Sequence, residues 1–492
     1  MIFLGIDVGT GGSRAVLIDE NGKIRASATV EHVPFASPEI GWAEQSPLDW
    51  WNASSAAIRA VLANQNVRAE EIGAIGFSGQ MHGAVLLGER DEVLRPALIW
   101  CDQRTNKQCL DLTEKIGAER LIELVYNPAV TGFTLPKLLW TRENEPAIWQ
   151  KTRAVLLPKD YVRFRLSGDK ASDVADSSGT LLFDVKKRDW SNEMLDALEL
   201  DKNLFSRVYE STEITGKVSA VGAAETGLLA GTPIVAGAGD NAAGAIGMGI
   251  VKAGMVSATI GTSGVVFVVS DEPILDLKGR THTLCHAIPN RWHMTGVTQG
   301  AGLSLRWFRE NFSDGESYEE LVAEAAKVPA GSDGALWLPY LMGERTPHLD
   351  PNARAAFVGL TYNHSKAHFV RAILEGVAFS LRDSLKIFRE LGLPIEKIRL
   401  GGGGAKSALW RQIQADVYGQ AVETIEAEEG AAFGAAILAG VGAGAWETVD
   451  EACRKTIRVS EIIEPNVDSV KLFDRQFEIY QSLYPALNQV FN

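Results

Sequence analysis

Apolar and polar positions along the chain switch repeatedly between strand-like runs and helix-like spacing. The stretch MIFLGIDV ends its apolar run in one acid, Asp7, breaks into Gly9-Thr10-Gly11-Gly12, and turns apolar again in SRAVLID, followed by ENG and KIRASATV. Apolar runs of this length separated by glycine turns predict a β-meander. Ser46-Pro47 is a helix-start signature, and helix-forming residues fill 46–65 to about Leu62. IGAIGFS (72–78) predicts a strand, QMHG a turn and AVLL a further apolar run. Strand and helix patterns then alternate through residue 245, which predicts an α/β domain.

The opening pattern returns half a chain later. MVSATIGTSGVVFVVS (255–270) is again strand, glycine turn and strand, with Gly261-Thr262-Ser263-Gly264 in the place of Gly9-Thr10-Gly11. The echo predicts two related domains, 1–245 and 246–492, facing a shared cleft, with a hinge near 230–255. In the second half, Val370, Leu374, Val377, Leu381, Leu385 and Phe388 recur at helical spacing, which predicts one long helix with a buried stripe. IRLGGGGAKSALWRQIQADVYG reads as strand, four glycines and helix, the arrangement by which a backbone approaches a nucleotide closely. EEGAAFGAAILAGVGAGAW reads as a helix of small residues, suited to tight packing.

Composition narrows the partners. A chain of 492 residues exceeds what one core supports. Lys and Arg number 48 against 62 Asp and Glu, a net charge of -14, with no basic block, which excludes nucleic acid as the expected partner. An anionic ligand is then held by local donors, helix N-termini or a metal ion rather than by the overall field. Cys101, Cys109, Cys285 and Cys453 are scattered without paired spacing, which argues against zinc or a disulfide framework and fits a reducing cytoplasm. With no leader-like start and no apolar run long enough to span a membrane, a soluble cytoplasmic protein is expected.

The chemistry lies in the acids and the glycine turns. No GxxxxGK[ST] string is present, and GAGDNA (237–242) fails as a dinucleotide fingerprint because Asp240 would set its charge against a pyrophosphate. What remains is a pair of strand-end acids, Asp7 and Asp240, with glycine turns at 9–12, 261–264 and 401–404. An isolated strand-end Asp also serves as a turn cap. Both acids together, beside glycine turns in matching contexts, fit phosphoryl transfer instead. That reaction needs backbone donors around phosphates, a carboxylate for Mg²⁺ and a second carboxylate to take the acceptor's proton.

The string Asp7-x-Gly9-Thr10-x-x-Ser13-Arg14, the Gly-Thr echo and the late glycine cluster resemble the FGGY family of sugar and polyol kinases. FTLPKLLWTREN (133–144) and FVGLTYNHSKAHFVRAILEG (357–376) are similar to that family's two signatures. The resemblance covers nearly the whole chain. It implies an α/β fold of two duplicated actin-like or ribonuclease-H-like domains around a central cleft, with ATP as donor and Mg²⁺ as cofactor. SGQMHG, LIWCDQRT, LLPKDYVRFRLSG, GAGDNAAGAIG, IGTSG and LPYLMGERTPH resemble the members that phosphorylate D-xylulose; glycerol-phosphorylating members carry Arg-Glu where this chain has Met81-His82.

On that likeness Asp240 is the general base for the terminal hydroxyl of D-xylulose, in a step of xylose catabolism. Asn241, Met81 and His82 line the sugar, with Trp100, Asp102 and Arg104 as further candidates. Asp7 holds Mg²⁺. Thr10, Gly11, Gly261 and Thr262 face the phosphates, Arg14 supports the transferring group, and Gly402, Gly403 and Ser407 lie along ADP. Position 407 is serine where glycerol-phosphorylating members have asparagine. Family relatives are often dimers, so a homodimer is the expected assembly. Three alternatives remain: another sugar or polyol kinase of the family, an actin-like ATPase without a sugar acceptor, and an inactive sugar-binding regulator.

Overall fold

The computed structural model describes residues 1–63, 67–426 and 430–491. Asn64 and Gln65 of the first helical stretch, and Glu428-Glu429 of the small-residue segment, lie outside the described residues.

The opening meander forms as its pattern demands. β1 (Ile2–Val8), β2 (Gly12–Asp19) and β3 (Ile24–Glu31) pair antiparallel in chain order, and β4 (Ile72–Gly79) joins β1 in parallel on its other side. β5 (Ile214–Lys217), β6 (Pro233–Val235) and β7 (Ala238–Gly239) complete a seven-stranded sheet of order β5-β6-β4-β1-β2-β3, with β7 also paired to β4. β1 and β4 are buried along nearly their whole length, which is why both read as continuous apolar runs rather than alternating ones. Helix α1 (Pro47–Leu62) starts on its proline and buries Trp50, Ile58 and Val61.

The second half repeats the plan. β8 (Met255–Ile260), β9 (Gly264–Ser270), β10 (His282–Cys285), β11 (Trp292–Thr298), β12 (Lys397–Gly402), β13 (Val422–Ile425) and β14 (Val459–Ile463) form a sheet of order β10-β11-β9-β8-β12-β13-β14. β8 and β9 are antiparallel about the second glycine turn and β8 runs parallel to β12, just as β1 stands to β2 and β4. The expected duplication is thus a repeat of topology.

Four helices matter for the site: α2 (Asp240–Gly247) and α5 (Gly430–Gly442), which cross between the halves, and α3 (Lys366–Glu390) and α4 (Ala408–Tyr418), which pack within the second. The stripe of α3 from Val370 to Phe388 is buried in the core of the second domain. The two sheets fall on either side of residues 240–254, but the chain does not keep to the 245/246 division. α5 comes from the second half and lies on β1 and β4 of the first sheet. Ala432, Ala436, Trp446 and Cys453 share a core with Phe3, Val16, Ile18 and Ala74. α2, from the first half, packs against α5 and buries Ala245 with Phe267 and Val269 of β9. Small residues permit this exchange. A Cβ on Gly5 would stand 1.9 Å from the Ala432 carbonyl oxygen, and one on Gly434 would stand 1.8 Å from that of Ala243.

A second junction lies away from this crossing. Trp292 Nε1 donates to the Val185 carbonyl (2.7 Å), and the Cys285 amide donates to Ser178 Oγ (3.0 Å). Among the described residues no helix is long and apolar enough to cross a membrane, and the four cysteines are unpaired.

The crossing makes a paired prediction. Gly434→Ala forces two helix backbones apart and should lower the unfolding free energy by roughly 1–3 kcal/mol or more. Gly244→Ala, in α2 with open space around its Cα, should instead raise it by up to about 1 kcal/mol. Denaturant melts of both variants check the contrast.

Candidate active site

Strand register sets the site. Asp7 of β1 pairs with Ser78 of β4, and Ala238 of β7 pairs with the same Ser78 from the other side. Neighbouring strands lie about 4.8 Å apart, so Asp7 and the Gly239-Asp240 step flank the end of β4. Ser78 Oγ donates to Asp7 Oδ1 (2.9 Å). Burial raises the pKa of Asp7, opposed by the Ser78 bond and by the charge of Arg14, its cross-strand neighbour. Burial, and then the charge of Asp7, pushes Asp240 up to about 7. Asp240 opens α2, and Asn241 follows with its Nδ2 3.5 Å from Met81 Sδ.

The Met81-His82 turn continues from β4. His82 adopts a left-handed backbone (φ 67°). Its Nδ1 lies 2.6 Å from the Gly179 carbonyl oxygen, which only accepts, so Nδ1 carries the proton. Burial, and then the nearby Lys137 charge, drops His82 to about 3, leaving the ring neutral with Nε2 as an acceptor. Phe133 packs on the imidazole with ring centroids 4.3 Å apart. The turn's backbone is pinned by Lys137, whose Nζ donates to the carbonyls of His82 (2.8 Å) and Gly132 (2.5 Å). Burial lowers Lys137 to about 7. Behind Gly179, Lys159 is buried against Asp160 and Asp173, each 2.6 Å away, and Asp173 caps the short helix Val174–Ser177 that leads to Gly179.

The first glycine turn is braced against the strand end that leads to Met81 and His82. The Gly9 amide donates to the Gly12 carbonyl (3.0 Å), the Gln45 amide group to the Thr10 carbonyl (2.8 Å), and Trp100 Nε1 to Thr10 Oγ1 (2.9 Å). Gln80 binds Gln45 (3.0 Å) and Thr10 (3.3 Å), joining the turn at 9–12 to the residue before Met81. In the second domain, the amides of Gly302 and Leu303 donate to the carbonyls of Gly261 (2.8 Å) and Thr262 (3.0 Å). The glycine ridge at 401–404 separates two cavities. One, of about 1050 Å³, runs from Asp240 and Asn241 past Gly401, Gly402 and Gly403; the other, of about 730 Å³, is lined by Gly261, Thr262, Gly403, Ser407 and Leu409. Ser407 lines the second cavity while capping α4, its Oγ accepting from the Trp410 amide (3.2 Å).

The structure thus brings Asp7, Arg14, Thr10, Gly11, Trp100, Met81, His82, Asp240 and Asn241 to the end of the first sheet, and Gly261, Thr262, Gly402, Gly403 and Ser407 to the second. Asp102 and Arg104 require correction. Asp102 is fully buried and accepts from the Ala43 amide (2.7 Å), while Arg104 is sandwiched over Trp42 and pairs with Asp102 and Glu44 (2.8 Å each). Their polar atoms brace the loop behind Trp100, so neither faces a sugar. Ser78, Gln80, Phe133, Lys137 and Gly179 were missed. Lys137 stands inside FTLPKLLWTREN and Gln80 inside SGQMHG, so the motifs were in view, but a contact across the fold was needed to assign them.

Comparisons with known proteins place the chain among sugar kinases. The model of the FGGY family of carbohydrate kinases, N-terminal domain, matches residues 2–247, and that of the C-terminal domain matches 256–443. A protein named xylulose kinase from Bacillus subtilis is 40% identical over 98% of this chain and 96% of its own length. One of the same name from Escherichia coli K12 is 38% identical over 99% of each. The crystal structure of a "xyloylose kinase" from Brucella ovis superposes with a TM-score of 0.93 at 36% identity, covering 100% of both chains. The chain belongs to the FGGY family of carbohydrate kinases.

Proposed function

We propose that the protein transfers the γ-phosphoryl group of ATP to the terminal hydroxyl of D-xylulose, giving D-xylulose 5-phosphate. The observation that carries this reading is the placement of Asp240, the first residue of α2, across the end of β4 from Asp7. The Met81-His82 turn continues from that strand end, and the first glycine turn begins beyond β1. Full-length relatives named xylulose kinase support the acceptor. The cavity of about 730 Å³, with glycine backbone on one side and Leu303, Leu305 and Val322 among its apolar lining, suits a nucleoside.

Asp240 takes the proton of the attacking hydroxyl, and its raised pKa matches a base working near neutral pH. His82 Nε2 accepts from a sugar hydroxyl, and Asn241 supplies an amide beside the base. The backbone at 10–11 and 261–262 offers donors to the phosphates. Mg²⁺ fits the donor set at Asp7: one carboxylate oxygen is held by Ser78, and among the described residues no cluster of three metal-ligating side chains encloses it. That suits an ion held by one or two carboxylates, water and substrate phosphates, where it neutralises phosphate charge. The proposed setting is a reducing cytoplasm, consistent with the unpaired cysteines, and the proposed assembly is a homodimer on family likeness.

Coupled ADP release, measured over ketopentoses, polyols and sugar acids with and without Mg²⁺, tests the reading. Activity on another acceptor and none on D-xylulose would overturn it. Asp240→Ala should lower kcat by about 10²–10⁴-fold and leave the KM for ATP unchanged. Because only ionised Asp240 accepts a proton, kcat/KM with both substrates below saturation should rise with pH and level off above about 7. Asp7→Asn removes one cause of that raised value and should move the rising limb to lower pH. Gly179→Ala places a Cβ 2.6 Å from His82 Cε1; it should raise the KM for the sugar while that for ATP holds.

A further inference from the structure

Beside Asp240 stand Asn241 and Met81, 3.5 Å apart, then His82 with Phe133 on its ring. Lys137 lies behind the turn on the carbonyls of His82 and Gly132, and a second charged group near Gly132 belongs to the second domain. Arg345 lies in the loop 341–350, which is anchored to β11. The Thr346 amide donates to the Val297 carbonyl (3.0 Å), and Thr346 Oγ1 accepts from the Val297 amide (3.0 Å). Glu344 accepts from Thr298 Oγ1 (2.5 Å), the Gln299 amide (2.9 Å) and the Arg345 amide (2.7 Å), which fixes the backbone at 345. From there the side chain crosses to the first domain. Arg345 Nη2 lies 3.5 Å from where a Cβ on Gly132 would stand, and its charge acts on His82, Lys137 and His282.

The guanidinium is partly exposed, and among the described residues it makes no hydrogen bond or ion pair. Its five donors have no protein acceptor among the described residues and are open to whatever acceptors enter the cleft beside His82. Hydroxyls and a ketone oxygen supply them. Chemistry also sets the direction. The attacking hydroxyl belongs at Asp240, so the opposite end of an open-chain ketopentose, with its carbonyl, points away from it. A ketone oxygen only accepts and a guanidinium only donates, whereas His82 Nε2 only accepts and so takes a hydroxyl.

We infer that Arg345 is a sugar-binding residue supplied by the second domain, donating to the ketone oxygen and adjacent hydroxyl at the end of the substrate remote from Asp240. The inference rests on the functional reading above and assigns the carbonyl end of that substrate.

The test uses the full chain with Arg345→Met and Arg345→Lys. The Met variant should raise both the KM for D-xylulose and its Kd, from calorimetry without ATP, by roughly 10–100-fold. Its kcat, its KM for ATP and its ADP affinity should stay at wild-type values, the last confirming an intact fold. The Lys variant keeps the charge but not the fork and should fall between the two. An unchanged sugar KM and Kd, or a loss confined to kcat or to ATP, overturns the inference. A wild-type protein that turns over another acceptor and not D-xylulose overturns the functional reading instead. The Arg345 variants assayed with that acceptor then decide the binding role separately, an unchanged KM overturning it.

Discussion

The close crossing of α2 and α5 is the constraint on which the rest depends. Their backbones approach until the Gly434 position has no room for a single methyl group. The same helices carry or support the chemistry: α2 begins at Asp240, and α5 lies beneath β1 and β4, whose ends present Asp7 and the Met81-His82 turn. A change in depth at the crossing is therefore a displacement of Asp240 relative to the Met81-His82 turn. Small residues hold the helices close without interlocked side chains, so the contact resists separation but offers few obstacles to rotation of one sheet against the other.

Each reacting element is then braced by groups that do not react. Gln45, Gln80 and Trp100 tie the first glycine turn to the strand end that leads to Met81. Lys137 holds the carbonyl of His82 in a left-handed conformation that its sequence position alone would not favour. Lys159 with Asp160 and Asp173 stabilises the segment ending in Gly179, which in turn fixes the imidazole. Buried charges of this kind are expensive unless paired or hydrogen-bonded, and here they sit behind the Met81-His82 turn, whose geometry they hold.

Much of this was legible in the sequence because it is local. The β-meander, the echoed glycine turn and the stripe of α3 each follow from residue spacing within one or two elements, and the strand ends place Asp7 and Asp240 without further information. The exchange of α2 and α5 was not legible, since a small-residue helix does not say which sheet it will cover. Asp102 and Arg104 misled for a related reason. They stand two positions apart beside an exposed tryptophan, and only the fold reveals that the Ala43 amide, Glu44 and each other occupy their polar atoms, with the Trp42 ring against the guanidinium. Lys137 and Gly179 act on His82 from 55 and 97 residues away, beyond any pattern a single stretch displays.

The geometry also separates two roles that the sequence presented together. His82 has its Nδ1 proton committed to Gly179, and burial keeps the ring neutral down to about pH 3. It therefore presents the same Nε2 acceptor at every pH well above 3. Asp240 is the opposite case: burial and the charge of Asp7 bring its titration to about 7, where its charge changes most readily. On the proposed roles, recognition falls to a group that stays neutral near pH 7 and proton transfer to one that titrates there. Neither residue type dictates this division. It follows from the Gly179 carbonyl beside one ring and the carboxylate of Asp7 across β4 from the other group.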